Sequence, residues 1–158
     1  MKRPPTILAT SGGFVPGRRT QIGPGPLIWH AIELAGSPGA PRLCVLGTAG
    51  GDQLHWQGAV HEAFYGTPVQ VTCLRLMSMP NIADMREHLL GQDVIWVNGG
   101  SVAGLLALWR LHGLDVVMRE AWEAGVVLAG VSAGSICWHV GGTTDSFGPE
   151  LRAVTDGL

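Results

Sequence analysis

The sequence predicts an α/β fold, with a doubly wound, mostly parallel sheet and helices on both faces. Five short apolar runs of strand-like composition alternate with segments in which apolar residues recur at helical spacing. Hydrophobic residues make up 46% of the chain and charged residues only 14%, which is typical of strands buried on both faces. The 158 residues contain no linker and no repeat, so we expect residues 1–158 to form one α/β domain.

The individual elements follow from local composition. The predicted strands are the apolar runs rich in β-branched residues, at 6–10, 43–48, 69–74, 93–98 and 126–131. The predicted helices lie at 27–35, at 54–64, at 82–90, at 102–111 and 116–124 with a break near Gly113, and after Ser132. Asp52 is the expected N-cap of the second helix, because its short carboxylate accepts hydrogen bonds from the first free N–H groups.

Glycine-rich turns follow four of the five predicted strands. They are residues 11–13, 47–52 and 98–101, and the segment after the fifth strand. In an open parallel sheet, ligands bind beyond the carboxyl ends of the strands, where these turns meet. Ordinary turn chemistry accounts for any single one of them. Four turns at one edge are a stronger indication of a binding site.

The fifth strand ends in Gly130-Val131-Ser132-Ala133-Gly134, and a helix start follows. Gly-x-Ser-x-Gly between a buried strand and a helix is typical of a nucleophile elbow, a tight turn that lifts one serine out of the sheet. The glycines are needed because side chains two positions either side of the serine would collide with neighbouring strands. The alternative is that Ser132 is a plain helix N-cap.

A serine nucleophile also needs donors for the oxyanion of its tetrahedral intermediate. The backbone N–H after the serine, that of Ala133, supplies the first donor. The second donor must come from a neighbouring turn on the same side of the sheet, and the Gly99-Gly100 pair fits, because glycine lets bare backbone approach a substrate closely. The N-terminal end of the elbow helix adds a partial positive charge.

These motifs together resemble the peptidase E (aspartyl dipeptidase) family of serine peptidases, relatives of the cyanophycinases. The similarity rests on the pentapeptide around Ser132 and on residues 97–101 with Leu105-Leu106, and it runs from Ile7 to Asp145. It implies a flavodoxin-like fold similar to that of the class I glutamine amidotransferases, which place a cysteine at the elbow.

The resemblance also implies roles for single residues. Ser132 is then the nucleophile, and Gly100 and Ala133 are the oxyanion-hole donors, with Gly99 and Ser101 as supporting residues. The family often has asparagine where this chain has Ser101, which leaves the role of that residue open. The implied reaction is cleavage of short peptides with an N-terminal aspartate, without a metal or other cofactor.

The general base is the missing part. Of six histidines only His139 follows Ser132, and it lies about 10 Å further along a helix at 1.5 Å per residue, too far for a base. His55 is a weaker alternative near the second helix start. In the family the histidine lies downstream, so we expect it beyond residue 158, on a longer catalytic domain or a companion fragment. Asp145 and Glu150 are candidates for orienting it.

The composition of the chain argues against some classes of binding partner and favours others. The net charge of −2 argues against nucleic acid, and no apolar run approaches the roughly 20 residues of a membrane span. Three cysteines at spacings that fit no metal or redox motif indicate buried thiols in a reducing cytoplasm. Six tryptophans make a homodimer interface a candidate, and Arg18-Arg19 are candidates for a substrate carboxylate.

The sequence thus predicts a cytoplasmic serine peptidase acting on small peptides. The alternative is a non-catalytic small-ligand-binding α/β module, or an inactive fragment of such an enzyme. Nucleotide binding is disfavoured, because no Gly-x-Gly-x-x-Gly and no Walker-type lysine follows any strand.

Overall fold

The computed structural model describes residues 3–158. In chain order, the elements are β1 (Ile7–Thr10), β2 (Phe14–Pro16), β3 (Ile22–Pro24), α1 (Pro26–Ala35), β4 (Arg42–Leu46), α2 (Leu54–Ala63), β5 (Gln70–Leu74), α3 (Met85–Leu90), β6 (Val94–Val97), α4 (Val102–Leu111), α5 (Leu114–Ala124), β7 (Val127–Val131), α6 (Ala133–Ile136), β8 (Gly142–Thr144) and β9 (Arg152–Val154). A single 3₁₀ turn, Thr48–Gly50, follows β4.

Five strands form the central sheet in the order β1-β7-β6-β4-β5, and every neighbouring pair is parallel. The sheet is covered on both faces, as β6 shows. Ile95 and Val97 belong to the core under α4 and α5, whereas Val94 and Trp96 belong to the core under α1 and α2. Because successive strand side chains point to opposite faces, an unbroken apolar strand serves both cores. The predicted α/β fold is confirmed.

The predicted strands and helices are all present, with shifted ends. The third helix begins at Met85 rather than at residue 82, because the Asp84 side chain accepts a hydrogen bond from the Glu87 N–H at 2.8 Å and caps it there. The predicted break between α4 and α5 is confirmed at Gly113, whose φ of 69° suits glycine.

Three details differ from the sequence-based expectation. Two short antiparallel hairpins, β2–β3 and β8–β9, were not predicted. Asp52 is not the N-cap of α2, a position that Gln53 occupies without a side-chain hydrogen bond. The Asp52 carboxylate turns instead toward the loop after β5, where it accepts the N–H groups of Leu76 at 2.7 Å and Met77 at 3.1 Å. Asp52 thus accepts two backbone N–H groups of this loop instead of those at the start of α2.

The three cysteines are free and buried, as predicted. Burial raises the pKa of Cys44 to about 12 and that of Cys73 to about 11, and it raises the pKa of Cys137 as well. The thiols therefore stay protonated near neutral pH. Across residues 3–158, no helix combines the length and the apolar composition needed to cross a membrane.

Asp93 links neighbouring segments by hydrogen bonds at the amino-terminal ends of the parallel strands, opposite the glycine-rich turns. It is 5% exposed, and it accepts hydrogen bonds from the Arg42 N–H at 2.9 Å and from the Arg3 guanidinium at 3.1 Å. Burial acts to raise the pKa of Asp93, but hydrogen bonds from Ser37, Arg42 and Arg3 and the charge of Arg42 hold it below its ordinary value. The ionised form is therefore stabilised by folding.

Replacing Asp93 by asparagine should lower the free energy of unfolding by about 1–3 kcal/mol at pH 7. A carboxyl whose pKa is depressed by folding stabilises the protein above its ordinary pKa, and this contribution disappears as pH falls through the folded-state value. The difference between wild type and Asp93→Asn should therefore shrink below about pH 4. Urea unfolding at pH 7 and pH 3 measures it, with the exposed Glu123→Gln as control. An equal difference at both pH values contradicts the prediction.

Candidate active site

Ser132 stands at the turn between β7 and α6 in a conformation that few non-glycine residues adopt. Its φ is 54° and its ψ is −117°, a backbone strain of about 1–3 kcal/mol. Its side chain is exposed and makes no capping hydrogen bond to α6. An ordinary N-cap has extended backbone and a bonded side chain. Ser132 therefore lacks the geometry of an ordinary cap, and the nucleophile elbow at this turn stays a prediction.

The two glycines of the pentapeptide make this turn possible. A Cβ at Gly134 would collide with the carbonyl of Val97 at the end of β6, and a Cβ at Gly130 would collide with the Val97 and Gly134 carbonyls. These obstacles are backbone atoms of β6 and α6, which side-chain rearrangement does not remove. α6 thus starts directly against β6.

Gly99 and Gly100 lie beside the serine. A Cβ at Gly99 would lie 3.1 Å from the Ser132 Cβ and 3.6 Å from its Oγ, so the serine hydroxyl stays next to the glycine pair. Gly100 has φ 141° and packs on the Ala49 carbonyl, which also accepts the Ser101 N–H at 2.8 Å. This contact fixes the pair relative to the 3₁₀ turn after β4.

Free backbone donors border the serine. Within residues 3–158, the N–H groups of Gly100 and Ala133 donate no hydrogen bond to the protein, and Ala133 is the first residue of α6. The predicted oxyanion-hole donors are thus unpaired; Ala133 follows Ser132 directly, and Gly100 follows Gly99, which lies beside the serine. Their catalytic role remains a prediction. Ser101 has a structural task, since its side chain accepts the Gly104 N–H at 3.1 Å and caps α4.

The candidate acids lie on the segment that joins β8 to β9. Asp145 and Glu150 are both exposed, and neither takes part in an ion pair among the described residues. Ser146, which sequence reasoning missed, anchors this segment, because its hydroxyl accepts the Val102 N–H at 2.9 Å. Asp145 is thereby held near the start of α4, and α4 begins two residues after Gly100. Glu150 has no comparable anchor.

The histidines do not complete a dyad with Ser132 in the described part of the chain. His139 is exposed after the end of α6, and His55 is exposed in the first turn of α2. Neither hydrogen-bonds to Ser132. His88, whose pKa is lowered by burial, belongs to α3 and lies 3.0 Å from the Thr72 hydroxyl on β5, the far edge strand. No cluster of three metal-ligating side chains occurs among residues 3–158.

A cavity of about 480 Å³ opens beside the serine. Its walls come from four of the strand ends, at residues 11–14 after β1, Gly47, Gly50, Gln53 and Trp56 after β4, Asn98 and Gly99 after β6, and Val131 of β7. Phe14 and Trp56 pack edge to face with ring centroids 5.6 Å apart. Sequence reasoning missed Phe14, Gln53 and Trp56, since nothing in their spacing links them to Ser132. Arg18 and Arg19 lie exposed on the β2–β3 turn.

Comparison with known proteins decides the family. The family model described as peptidase family S51 matches residues 9–156. The chain belongs to peptidase family S51. The match spans both the Gly99-Gly100 pair and the turn at Ser132, and it confirms the resemblance to the peptidase E family.

The chain is also similar to one curated relative and to one solved structure. The chain is 44% identical over 109 residues to the uncharacterized peptidase YgaJ of Bacillus subtilis (strain 168), a match that covers 69% of this chain and 47% of that protein. The chain thus spans about half the length of this relative. A crystal structure of a candidate peptidase E protein from Listeria monocytogenes EGD-e aligns with a TM-score of 0.54 at 21% identity, over 66% of this chain and 52% of that one. That likeness shows the α/β fold.

Proposed function

We propose that the protein is a serine peptidase that hydrolyses short peptides with Ser132 as its nucleophile. The observation that carries the proposal is the backbone of Ser132, strained at φ 54° with an exposed hydroxyl beside the Gly99-Gly100 pair. Strain of this kind persists only where the surrounding structure enforces it, and here the sheet enforces it through Gly130 and Gly134. Membership of family S51 supports peptidase chemistry.

In the proposed reaction, the Ser132 Oγ attacks the carbonyl carbon of a peptide bond and its proton passes to a base. The carbonyl oxygen becomes an oxyanion, which accepts hydrogen bonds from the N–H groups of Gly100 and Ala133. Collapse of the intermediate expels the amine, which takes the proton from the base. Water then hydrolyses the acyl ester, and the proton returns to Ser132. These two donors are preorganised because their residues are fixed by β6 and α6.

The base in this proposal is a histidine from beyond residue 158 or from a companion chain. Two observations support it. Ser132 Oγ makes no capping hydrogen bond, and none of the histidines in residues 3–158 is hydrogen-bonded to it. Asp145, held at the start of α4 through Ser146, is the acid that we propose orients this histidine. Glu150 is the less supported choice because it is not anchored.

The proposal is tested by comparing the 158-residue chain with the complete gene product on a panel of dipeptides and tripeptides. We expect the complete product to release free amino acids. The 158-residue chain should be at least about 10³-fold slower, because a serine without its base loses most of its reactivity. Equal activity of the two would place the base within the described chain. No hydrolysis by the complete product would overturn the proposal.

A second candidate function is binding of a small ligand without turnover. The cavity beside Ser132, with its aromatic wall, favours it. This function predicts that peptides bind to the complete gene product and leave it uncleaved. Calorimetry with product analysis after a long incubation separates the two functions.

Two finer points belong to the proposal. The preference for an N-terminal aspartate, which the resemblance to peptidase E implies, would need a cation near the substrate, and Arg18 and Arg19 are candidates from the described chain. A cytoplasmic location is supported by the three free, buried cysteines, since reduced thiols are the norm in that compartment.

A further inference from the structure

We infer that Ser146 is a positioning residue that holds the proposed oxyanion donor, the N–H of Gly100, in place relative to the Ser132 hydroxyl. The inference rests on the proposed function and deepens it. The observation that carries it lies in the hydrogen bonds from the start of α4 to the Ser146 hydroxyl, which join residues 44 and 43 positions apart in the chain.

The glycine pair depends on its neighbours for a fixed geometry. Among residues 3–158, neither the Gly99 nor the Gly100 N–H donates a hydrogen bond to the protein. Glycine also has the widest range of allowed backbone conformations, so two in succession are easily displaced. The chain before the pair is held by the Asn98 N–H, which donates to the Leu46 carbonyl at 3.0 Å. The chain after it must be held at the start of α4.

Two serines cap the start of α4, and only one of them belongs to the glycine loop. The first N–H groups of a helix have no acceptor within the helix. Those of Val102 and Ala103 donate to the Ser146 hydroxyl at 2.9 Å and, more weakly, at 3.5 Å. The next one, that of Gly104, donates to the Ser101 hydroxyl at 3.1 Å. Ser101 moves with the loop, so Ser146 is the side chain that ties this helix start to another part of the molecule.

The Ser146 hydroxyl is itself held in one orientation. Its Oγ lies 2.7 Å from the Thr144 Oγ1, and the same Thr144 oxygen accepts the Ser146 N–H at 3.1 Å. Thr144 is buried at the end of β8, which pairs with β9. Because the Ser146 oxygen accepts N–H groups from α4, its own proton is left to donate to Thr144. Ser146 is therefore a fixed support for α4 and not a mobile surface side chain.

The segment that carries Ser146 begins at the nucleophile. Ser132 leads directly into α6, and the chain then continues into β8. β8 lies against α6, because a Cβ at Gly142 would stand 2.8 Å from the Ile136 side chain. Ser146 thus links the chain after the nucleophile to the helix after the oxyanion loop. The serine oxygen and the oxyanion donor must act on one carbonyl group at the same time, so this link sets their separation.

The test measures kcat and KM for dipeptide hydrolysis by the complete gene product. Ser146→Ala removes the acceptor, and we expect it to lower kcat by about tenfold to 10²-fold, because a displaced oxyanion donor stabilises the transition state less. KM should change by less than about threefold, since the donor acts on the transition state. Ser146→Thr keeps the hydroxyl and should hold kcat within about threefold of wild type. Thr144→Val, of similar size, frees the Ser146 hydroxyl and should lower kcat by about threefold to tenfold.

Asp84→Ala is the matched control, because it also removes a side-chain acceptor at the start of a helix. Asp84 accepts the Glu87 N–H at 2.8 Å and caps α3, which supplies no residue to the described walls of the cavity beside Ser132. Both alanine variants should have a lower urea midpoint of unfolding, but only Ser146→Ala should lose kcat. Equal losses of kcat in the two variants, or an unchanged kcat in Ser146→Ala, overturn the inference while leaving the peptidase proposal intact.

The pH profile of kcat/KM separates this role from an effect through the neighbouring Asp145. A change at the base would move the acidic limb of the profile, whereas a displaced oxyanion donor lowers the whole profile without moving it. A lower, unmoved profile with rescue by threonine supports the inference, and a moved limb overturns it. If Ser146→Ala does not fold, Thr144→Val decides, and a wild-type kcat there overturns the inference. If the wild-type protein cleaves no peptide, the proposed function fails and the inference fails with it.

Discussion

Replacing Ser132 by alanine in the complete gene product should lower kcat for peptide hydrolysis by about 10⁴-fold or more, with little change in stability. The loss is large because, in the proposed reaction, the acyl intermediate forms on this oxygen. The oxyanion donors and the cavity remain and support only residual catalysis. Alanine at φ 54° carries about the same backbone strain as serine, so we expect the fold to be retained. The measurement is a dipeptidase assay under saturating substrate.

The matched control for this substitution is Ser135→Ala. Ser135 lies three residues further, on α6, and its backbone N–H bonds to the Ser132 carbonyl at 2.8 Å, a contact that alanine preserves. We expect this variant to keep kcat within a few-fold of wild type. Comparable losses in the two variants would mean that the elbow has a structural role only. Full activity in Ser132→Ala would show that Ser132 is not the nucleophile.

Replacing Gly134 by alanine should destabilise the protein by more than about 3 kcal/mol, or prevent folding. The new methyl group would collide with the carbonyl and the Cβ of Val97, on a strand in the middle of the sheet. Relief requires α6 to move away from β6, which also displaces Ser132. The measurement is urea unfolding, with the midpoint and slope compared with those of wild type.

Gly58→Ala is the matched control. Gly58 lies inside α2, and a Cβ there meets no atom within 4 Å. Alanine is the better helix former by about 1 kcal/mol, so this variant should be stabilised by roughly that amount. If Gly134→Ala has wild-type stability, then the turn after β7 is not confined in the way the structure describes.

The sheet and the glycine-flanked turn at Ser132 could both be predicted from the sequence, because each depends on residues close together in the chain. A strand buried on both faces is an apolar run of four to six residues, and β6 and β7 have this signature. The turn at Ser132 has glycines two residues before and two residues after the serine. They are needed because a side chain at either position would collide with nearby backbone. The structure confirms that requirement, because both glycines face the Val97 carbonyl.

Features that depend on contacts between residues far apart in the chain could not be predicted from the sequence. Asp52 has the position of a helix cap in the sequence, but the Leu76 and Met77 N–H groups that it binds are 24 and 25 residues away. The hairpin β2–β3 has three-residue strands ending in proline, too short for any periodicity. Gln53 and Trp56 line the cavity only because β4 lies beside β6 in the sheet. Strand order is a tertiary property that spacing along the chain does not encode.

The central claim is that the exposed hydroxyl of Ser132 is the nucleophile. The most direct measurement is reaction of the complete gene product with a fluorophosphonate, followed by tryptic digestion and mass spectrometry of the modified peptide. The account predicts one adduct, on Ser132, which is absent in Ser132→Ala and present in Ser135→Ala. An unlabelled wild-type protein, or an adduct on a different residue, would contradict it.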